Sequence, residues 1–191
     1  MADATAATRV VAGTELPAAG TWKVDPGHAE VGFVGRHFLL TKVRGRFTGV
    51  DATLEIGERI EDTTVRAVIE MATVDSGDHT RDDHLRSGDF FDVEHHPRAT
   101  FESVSVTATG SHATMAGNLT IKEVSRPVTL AVEYLGHARD PWGNDRAVFS
   151  ARGKINREDW GLVWNMVLES GGLLVPKEIE LVLEIEAIRS S

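Results

Sequence analysis

Hydrophobic and polar side chains alternate along several stretches of this chain. Residues 177–188 contain a regular repeat: from Glu178 to Ala187 the odd-numbered positions are apolar and the even-numbered positions are Glu, with Val182 as the single exception. The same period of two recurs in residues 64–71, 128–134 and 149–155. Because successive side chains of a strand point to opposite faces, each stretch predicts a β-strand with one buried face and one solvated face, as in antiparallel sheets.

Turn-forming residues separate these stretches at short intervals. Gly57-Glu58, Gly110-Ser111 and residues 141–145 (PWGND) each lie between two alternating stretches. The strands expected from this spacing cover residues 21–24, 28–38, 46–56, 63–74, 99–108, 112–121, 127–137, 146–156 and 177–188. Strands joined in this way form a meander that can close on itself, so the pattern predicts an all-β protein.

Two segments interrupt the strand pattern. Residues 80–83 (TRDD) resemble a capping box, with an acid three positions after Thr80, and Ser87-Gly88 can end a helix. A short helix is therefore expected at about 81–86. Residues 159–169 fit the spacing of a short amphipathic helix and also fit strand alternation, so both interpretations stay open. The predicted all-β fold thus has one or two short helices.

Length and charge limit the domain organisation and the partners. The chain has 191 residues, with 20 Lys and Arg, 29 Asp and Glu, and a net charge of −9. We expect a flexible N-terminal leader over residues 1–20 and one domain over residues 21–191. The negative charge argues against nucleic acid and against anionic membrane surfaces as partners, because neither attracts a protein of the same sign.

Composition also bears on cofactors and on location. The chain has no Cys, which excludes disulfides, Cys-ligated zinc, iron–sulfur clusters and thiol nucleophiles. Residues 1–20 have no positive segment followed by a long apolar run, and no later stretch approaches ~18 apolar residues. We therefore expect a cytoplasmic protein without stable membrane insertion.

Large aromatic side chains are the first candidates for a binding site. They lie in the predicted strands or beside the two irregular segments: Phe33, Phe47, Phe90, Phe91, Phe101, Phe149, Trp160 and Trp164. A small closed barrel either fills its interior with side chains or holds one ligand. The same aromatics would suit an apolar pocket or a plain core, and both interpretations stay open.

Histidines suggest two kinds of site. Four of the eight lie close together in the sequence: His79, His84, His95 and His96. Their spacing matches no zinc motif, so we predict no metal site. His28 and His37 could form an acid/base system with Asp25 or Glu30, but no nucleophile motif accompanies them.

Basic residues concentrate after the first long predicted strand. Arg36, Lys42, Arg44 and Arg46 fall within eleven positions of sequence, RHFLLTKVRGR. Guanidinium and ammonium groups at this density could bind a phosphate or carboxylate group. An ordinary solvated loop with compensating charges would look the same in the sequence, so this alternative also stays open.

Six segments, taken together and in order, resemble one known family. They are WKVDPGHAEVGFVGRH, VRGRF, RDDHLRSGDFFDVEHHPRATFES, GNLTIKEVSRPVTL, NREDWGLVWN and VPKEIELVLEIEAI, and they run from about residue 20 to residue 188. Their order is similar to that of the YceI-like family, also described as polyisoprenoid-binding or lipocalin-like. Residues 84–103 carry the strongest part of the likeness.

The resemblance implies a closed antiparallel, lipocalin-like β-barrel around an apolar tunnel, assembled as a homodimer. It implies binding of a long isoprenoid-like lipid, such as a polyprenyl phosphate or an isoprenoid quinone, for carriage or storage, without catalysis and with no cofactor besides the bound lipid. Arg36 and His37 are expected near a polar head group. The expected ligand-binding residues are Phe33, Phe38, Phe47, Phe90, Phe91, Phe101, Phe149, Trp160 and Trp164.

Two rival functions stay open beside lipid binding. One is an enzyme, of hydrolase type or another, that uses His28 or His37 as its acid/base group. The other is a structural module whose barrel core is dry and holds no ligand. A lipid that copurifies with the protein would favour the first interpretation over the module, and loss of turnover on His37→Gln would favour the enzyme.

Overall fold

The computed structural model of the protein describes residues 7–37, 41–167 and 174–190. It begins with an antiparallel hairpin of β1 (Thr8–Val11) and β2 (Thr14–Pro17). Ala12 and Gly13 both have positive φ angles, 48° and 83°, which suits a two-residue hairpin turn. The sequence predicted a flexible leader over residues 1–20, and its part between residues 8 and 17 is corrected to this hairpin.

Eight antiparallel strands then form a closed barrel. The strands after the hairpin are β3 (Gly20–His37), β4 (Thr41–Phe47), β5 (Val50–Ile56), β6 (Thr64–Glu70), β7 (Val74–Asp75), β8 (Arg98–Thr109), β9 (His112–Ile121), β10 (Val124–Arg139), β11 (Asp145–Asn156) and β12 (Glu178–Arg189). Around the barrel the order is β3–β5–β6–β8–β9–β10–β11–β12, and β12 pairs with β3 to close it, while β4 and β7 extend the sheet beside β3. The predicted closed antiparallel barrel is confirmed.

Strand β3 joins two stretches that the sequence predicted as separate strands. Its first residues, 20–23, pair with β5, and residues 31–37 pair with β4. Both parts also pair with β12, across a register shift between Ile185 and Ala187. The predicted strand 46–56 is in turn divided into β4 and β5 by Thr48-Gly49, where the Gly49 N–H donates to Thr73 Oγ1 at 2.9 Å.

The structure has one α-helix within its described residues, α1 (His79–Arg86). The Asp78 carboxylate accepts the Arg81 N–H at 3.0 Å, so Asp78 and not Thr80 caps this helix. Single 3₁₀ turns lie at 60–62 and 71–73.

The structure of residues 157–167 decides most of the choice between helix and strand that the sequence left open for residues 159–169. A 3₁₀ turn over Arg157–Trp160 ends at Gly161, whose φ of 75° is left-handed, and the chain then runs irregularly to Val167. The amphipathic α-helix is therefore absent from the described part of this segment, and residues 168–169 lie outside the described residues.

Apolar side chains inside the barrel form two groups. The larger one surrounds Phe47 and Phe101, and the smaller one surrounds Trp22. Trp22 has 0% exposure, and its indole N–H donates to the Ala18 carbonyl at 3.0 Å. Ala147 and Ala187 lie opposite each other in the β11–β12 ladder and leave room for the indole ring. Trp22 therefore fills the barrel near the end where the hairpin lies.

Candidate ligand-binding cavity

The barrel encloses a cavity of about 830 Å³. All eight barrel strands contribute wall residues, and most of these side chains are apolar, for example Val24, Ile69, Leu130 and Leu183. This volume lies within the range of about 300–1,000 Å³ that is typical of small-molecule sites. The barrel is therefore hollow, and the structural module with a dry core does not fit this structure.

The cavity runs between two ends of different construction. At the helix end its wall includes Arg81 and His84 of α1, together with Phe90 and Trp164. At the hairpin end the wall residues are Leu16, Pro17, Thr63, Ser111, His112 and Tyr134. Polar side chains thus occur at both ends, and the middle of the cavity is apolar.

Most of the predicted aromatic residues lie on the cavity wall, and whether they touch a ligand stays a prediction. Phe38 lies outside the described residues. The predicted residues that lie on the wall are Phe33, Phe47, Phe90, Phe91, Phe101, Phe149 and Trp164.

Trp160 differs from the expectation. It is 2% exposed, packs within the larger apolar group, and is absent from the described wall residues. Its indole N–H donates to the Leu119 carbonyl at 2.9 Å, because a buried Trp needs a partner for this group. We therefore correct its role from ligand contact to support behind the wall.

Two glycines that the sequence analysis did not single out determine where the wall rings lie. A Cβ added at Gly45 would be 2.8 Å from two ring carbons of Phe33, and one added at Gly117 would be 2.5 Å from a ring carbon of Phe101. Aromatic rings that cover cross-strand glycines are a known device of β-sheets. Phe33 also packs against Phe47, with ring centroids 5.6 Å apart.

The helix end is built around a cluster of rings formed by His84 of α1, Phe90 and Trp164. The His84 ring makes edge contacts with Trp164 and Phe90, with centroid distances of 4.5 Å and 5.0 Å. His84 Nε2 is 3.0 Å from Asp89 Oδ2. Arg81 donates from Nε to Ser76 Oγ at 2.7 Å, which holds the guanidinium in place at the wall.

Arg157 holds the loop that completes the helix end. It is buried, donates from Nε to the Pro176 carbonyl at 2.8 Å, and donates from Nη1 to the Leu162 carbonyl. Burial lowers the pKa of Arg157. Because its N–H groups donate to backbone carbonyls, Arg157 positions Leu162 and Pro176.

The hairpin end is closed by β2 and by the β8–β9 turn. Leu16 and Pro17 are buried there, beside Tyr134, whose ring centroid is 5.5 Å from that of Phe149. The Tyr134 hydroxyl is buried without a hydrogen-bond partner in the described part of the chain. Burial raises the pKa of Tyr134, because the phenolate would be poorly solvated there.

Comparison with known proteins identifies the barrel. The model of the YceI-like domain matches residues 22–187. The chain belongs to the YceI-like family. A UPF0312 protein of Pseudomonas paraeruginosa is 36% identical over 174 residues, which cover 90% of this chain and 88% of that protein. The family resemblance seen in the sequence is therefore confirmed.

Solved structures show the same YceI-like fold. The crystal structure of Burkholderia cenocepacia BcnA has a TM-score of 0.74 at 22% identity and covers 85% of this chain and 98% of its own. A polyisoprenoid binding domain from Saccharophagus degradans has a TM-score of 0.65 at 14% identity, with coverages of 88% and 98%. At these identities the two structures establish the fold alone. Within the described residues, no helix of this chain is long and apolar enough to cross a membrane.

The predicted head-group residues of this YceI-like barrel do not both lie at the cavity. Arg36 is exposed and alternates along β3 with Gly35, which lies on the wall, so its side chain leaves from the outer face. Arg36 therefore lies outside the cavity, and its expected place near a polar head group stays a prediction. His37 ends β3, and its side chain lies outside the described residues.

His28, a candidate residue of the acid/base alternative, lies on the protein surface. His28 Nδ1 is 3.1 Å from Asp25 Oδ2, and the His28 side chain is 62% exposed. Arg146 Nη1 lies 2.7 Å from the same carboxylate oxygen and lowers the pKa of Asp25 to about 2. His28 thus faces solvent beside an ion pair and away from the cavity wall.

Two of the four clustered histidines, His84 and His95, pair with individual acids. His95 Nδ1 is 2.9 Å from Asp92 Oδ1, and this hydrogen bond raises the pKa of His95. His84 is held by Asp89, as described above. Among the residues that the structure describes, no group of three His, Asp or Glu side chains is placed to hold a metal ion.

Proposed function

We propose that the protein binds a long-chain isoprenoid-like lipid, such as a polyprenyl phosphate or an isoprenoid quinone, for carriage or storage. The observation that carries this proposal is the cavity of about 830 Å³ with an apolar middle and polar ends. Membership of the YceI-like family supports it, as does the fold shared with a polyisoprenoid binding domain.

The physical basis is the burial of hydrocarbon. An isoprenoid is a repeated branched chain, and transferring it from water to an apolar wall gains roughly 25 cal/mol per Å² of buried surface. Such a ligand needs few polar contacts for affinity, which suits walls built from Val, Ile, Leu and Phe. Selection among lipids then depends on the length of the cavity and on the polar groups at its ends.

An anionic head group would be placed at the helix end. Arg81 contributes a fixed guanidinium to the wall there, and His84 adds a second group that can carry positive charge. The hydrocarbon tail would then extend past Phe33 and Phe101 towards the hairpin end.

Native mass spectrometry of protein purified from the organism that encodes it tests the proposal. We expect a copurifying isoprenoid lipid, and we expect protein stripped of lipid to take up a polyprenyl phosphate or an isoprenoid quinone. Ala151→Phe should reduce uptake because Ala151 lies on the wall, while Val104→Phe on the exposed outer face should not. Protein that carries no lipid and takes up neither compound would overturn the proposal.

Two further expectations from the sequence, a homodimer and a cytoplasmic location, stay predictions. Analytical ultracentrifugation tests the first, and fractionation of the native cells tests the second. The absence of catalysis is likewise part of the proposal. His28→Gln should bind lipid as wild type does, and neither protein should show detectable turnover.

A further inference from the structure

A cluster of positive charge lies on the outer surface of the β3–β4 ladder. Arg36 and Lys42 are directly opposite each other in this ladder, and Arg44 follows Lys42 on the same outward face, opposite Val34. Like charges placed directly opposite on neighbouring strands destabilise a sheet. These three side chains, here named the cationic patch, therefore weaken the fold locally.

The cationic patch has no acidic partner among the described residues, although the chain carries a net charge of −9. Arg46, the next outward residue of β4, shows the contrast, because Glu30 and Asp75 both lie 3.3 Å from its guanidinium. The first acids of the neighbouring strand β12 are engaged elsewhere: Glu178 lies 2.8 Å from Lys154, and Glu180, opposite Val34, lies 3.5 Å from Arg152. Hydrogen bonding to Glu178 raises the pKa of Lys154, and the positive charge of Arg36 opposes that effect.

Exposed apolar side chains lie at the same end of the barrel. Val163, Met166 and Val167 are 64%, 55% and 76% exposed, and Trp164 among them belongs to the cavity wall. These three residues are here named the apolar patch. The Leu174 N–H donates to the Met166 carbonyl at 3.0 Å, and Pro176, two residues further on, packs beside Gly35, the neighbour of Arg36.

We propose that the two patches together dock the helix end of the barrel on an anionic lipid bilayer. Basic side chains gain energy from anionic lipid head groups, and apolar side chains gain energy by entering the boundary of the acyl chains. Acidic residues outside the two patches, including Asp83 and Asp89 near α1, are repelled by the same surface, so the protein would bind only with the two patches facing the membrane. The cavity would then face the bilayer at the point where a lipid enters or leaves.

This inference deepens the proposed function and rests on it, because it names the surface from which the lipid is collected. It also revises the expectation drawn from net charge alone. A net charge of −9 argues against binding to an anionic membrane, whereas the placement of the three cations of the cationic patch at one end of the barrel favours such binding.

Vesicle sedimentation tests the proposal with the full chain. Wild type should sediment with vesicles of phosphatidylcholine and phosphatidylglycerol, not with phosphatidylcholine alone, and 1 M NaCl should release it because the Debye length is then about 3 Å. Lys42→Gln combined with Arg44→Gln should lower the partition coefficient roughly 30-fold, about fivefold per cation. The matched control is Lys23→Gln combined with Arg59→Gln, which removes two exposed cations at the hairpin end and should change binding less than twofold.

A second pair of variants tests the apolar patch. Val163→Ser combined with Val167→Ser should weaken sedimentation, whereas Val10→Ser combined with Val104→Ser, at similarly exposed positions elsewhere, should not. No sedimentation of wild type, or equal loss in the control variants, would overturn the docking proposal. Unchanged binding of the Lys42/Arg44 variant would also overturn it, because the cations would then contribute nothing to membrane binding.

Measuring the copurified lipid in every variant separates the two proposals. Loss of vesicle binding with unchanged lipid content supports docking as a separate property of the surface. Vesicle binding by a protein that never carries lipid would overturn the proposed function and leave the docking surface standing.

Discussion

The ring of Phe33 covers Gly45, its direct partner in the β3–β4 ladder. Only glycine fits beneath this ring without displacing it, since a Cβ added at position 45 would be 2.8 Å from two ring carbons. Gly45 therefore determines where Phe33 lies on the cavity wall, although Gly45 itself is not among the described wall residues.

Gly45→Ala should push the Phe33 ring from its place and lower both stability and lipid content. Overpacking of this kind costs about 1–3 kcal/mol in the free energy of unfolding. Urea unfolding and quantitative lipid extraction measure the two effects. Gly88→Ala is the matched control, because a Cβ there meets nothing within 4 Å and both properties should stay at wild-type values. A Gly45→Ala variant as stable and as loaded as wild type would show that the ring can move freely.

Trp164→Ala should enlarge the cavity at the helix end and shift the bound lipids towards longer chains. The indole ring lies on the wall and packs against His84, so its removal leaves space that a longer tail can fill. Mass spectrometry of extracted lipids measures the shift. Trp142→Ala, in an exposed turn where the indole is 82% accessible, should leave the profile unchanged. Identical lipid species in wild type and Trp164→Ala would contradict the prediction.

Trp160→Phe should lower the stability of the protein and leave the bound lipids unchanged. The substitution removes the hydrogen bond to the Leu119 carbonyl and should cost about 1–3 kcal/mol in unfolding free energy. The chain-length profile of the bound lipid should not change, because Trp160 supports the wall from behind. A changed profile together with wild-type stability would restore Trp160 to the set of ligand contacts.

Asp25→Asn should change how the free energy of unfolding depends on pH. The pKa of Asp25 is lowered from 3.8 to about 2 in the folded protein, chiefly by its hydrogen bond from Arg146. The ionised carboxylate therefore stabilises the fold above about pH 4, and this contribution is lost as the pH falls towards 2. Unfolding curves of wild type and variant should differ at pH 6 and converge near pH 2. A difference that is independent of pH would exclude this ion pair as its cause.

Arg9→Met should loosen the N-terminal hairpin without unfolding the barrel. Arg9 donates from Nη1 to the Glu58 carbonyl at 2.7 Å and from Nη2 to the Gly57 carbonyl at 2.5 Å. Losing hydrogen bonds from a charged group costs about 1.5–3 kcal/mol, so amide exchange in residues 8–17 should rise about 10-fold or more. Exchange in β9–β11 should stay constant, as should exchange throughout the control Arg66→Met on the exposed face of β6. Uniform acceleration across the chain would mean that the hairpin is part of one cooperative unit.

The sequence by itself determined the architecture. Alternation of apolar and polar residues depends only on which face of a strand meets the core, so residues 149–155 and 177–188 could be assigned correctly without knowledge of their neighbours. The ordered family segments added closure of the barrel and the aromatic inventory of its wall. Element ends were less certain, because caps such as Asp78 depend on local hydrogen bonds that several nearby residues could make.

Only the tertiary structure decided which side chains reach the cavity. Trp160 and Trp164 are four positions apart in one segment, yet one packs behind the wall and the other lies on it. Periodicity could not separate them, because Gly161 and the irregular chain after it obey neither a helical nor a strand repeat. Arg36, Lys42 and Arg44 could be recognised as basic residues, but the like-charge pair exists only because β3 and β4 meet in one particular register. Long-range pairing fixes that register, and no local pattern contains it.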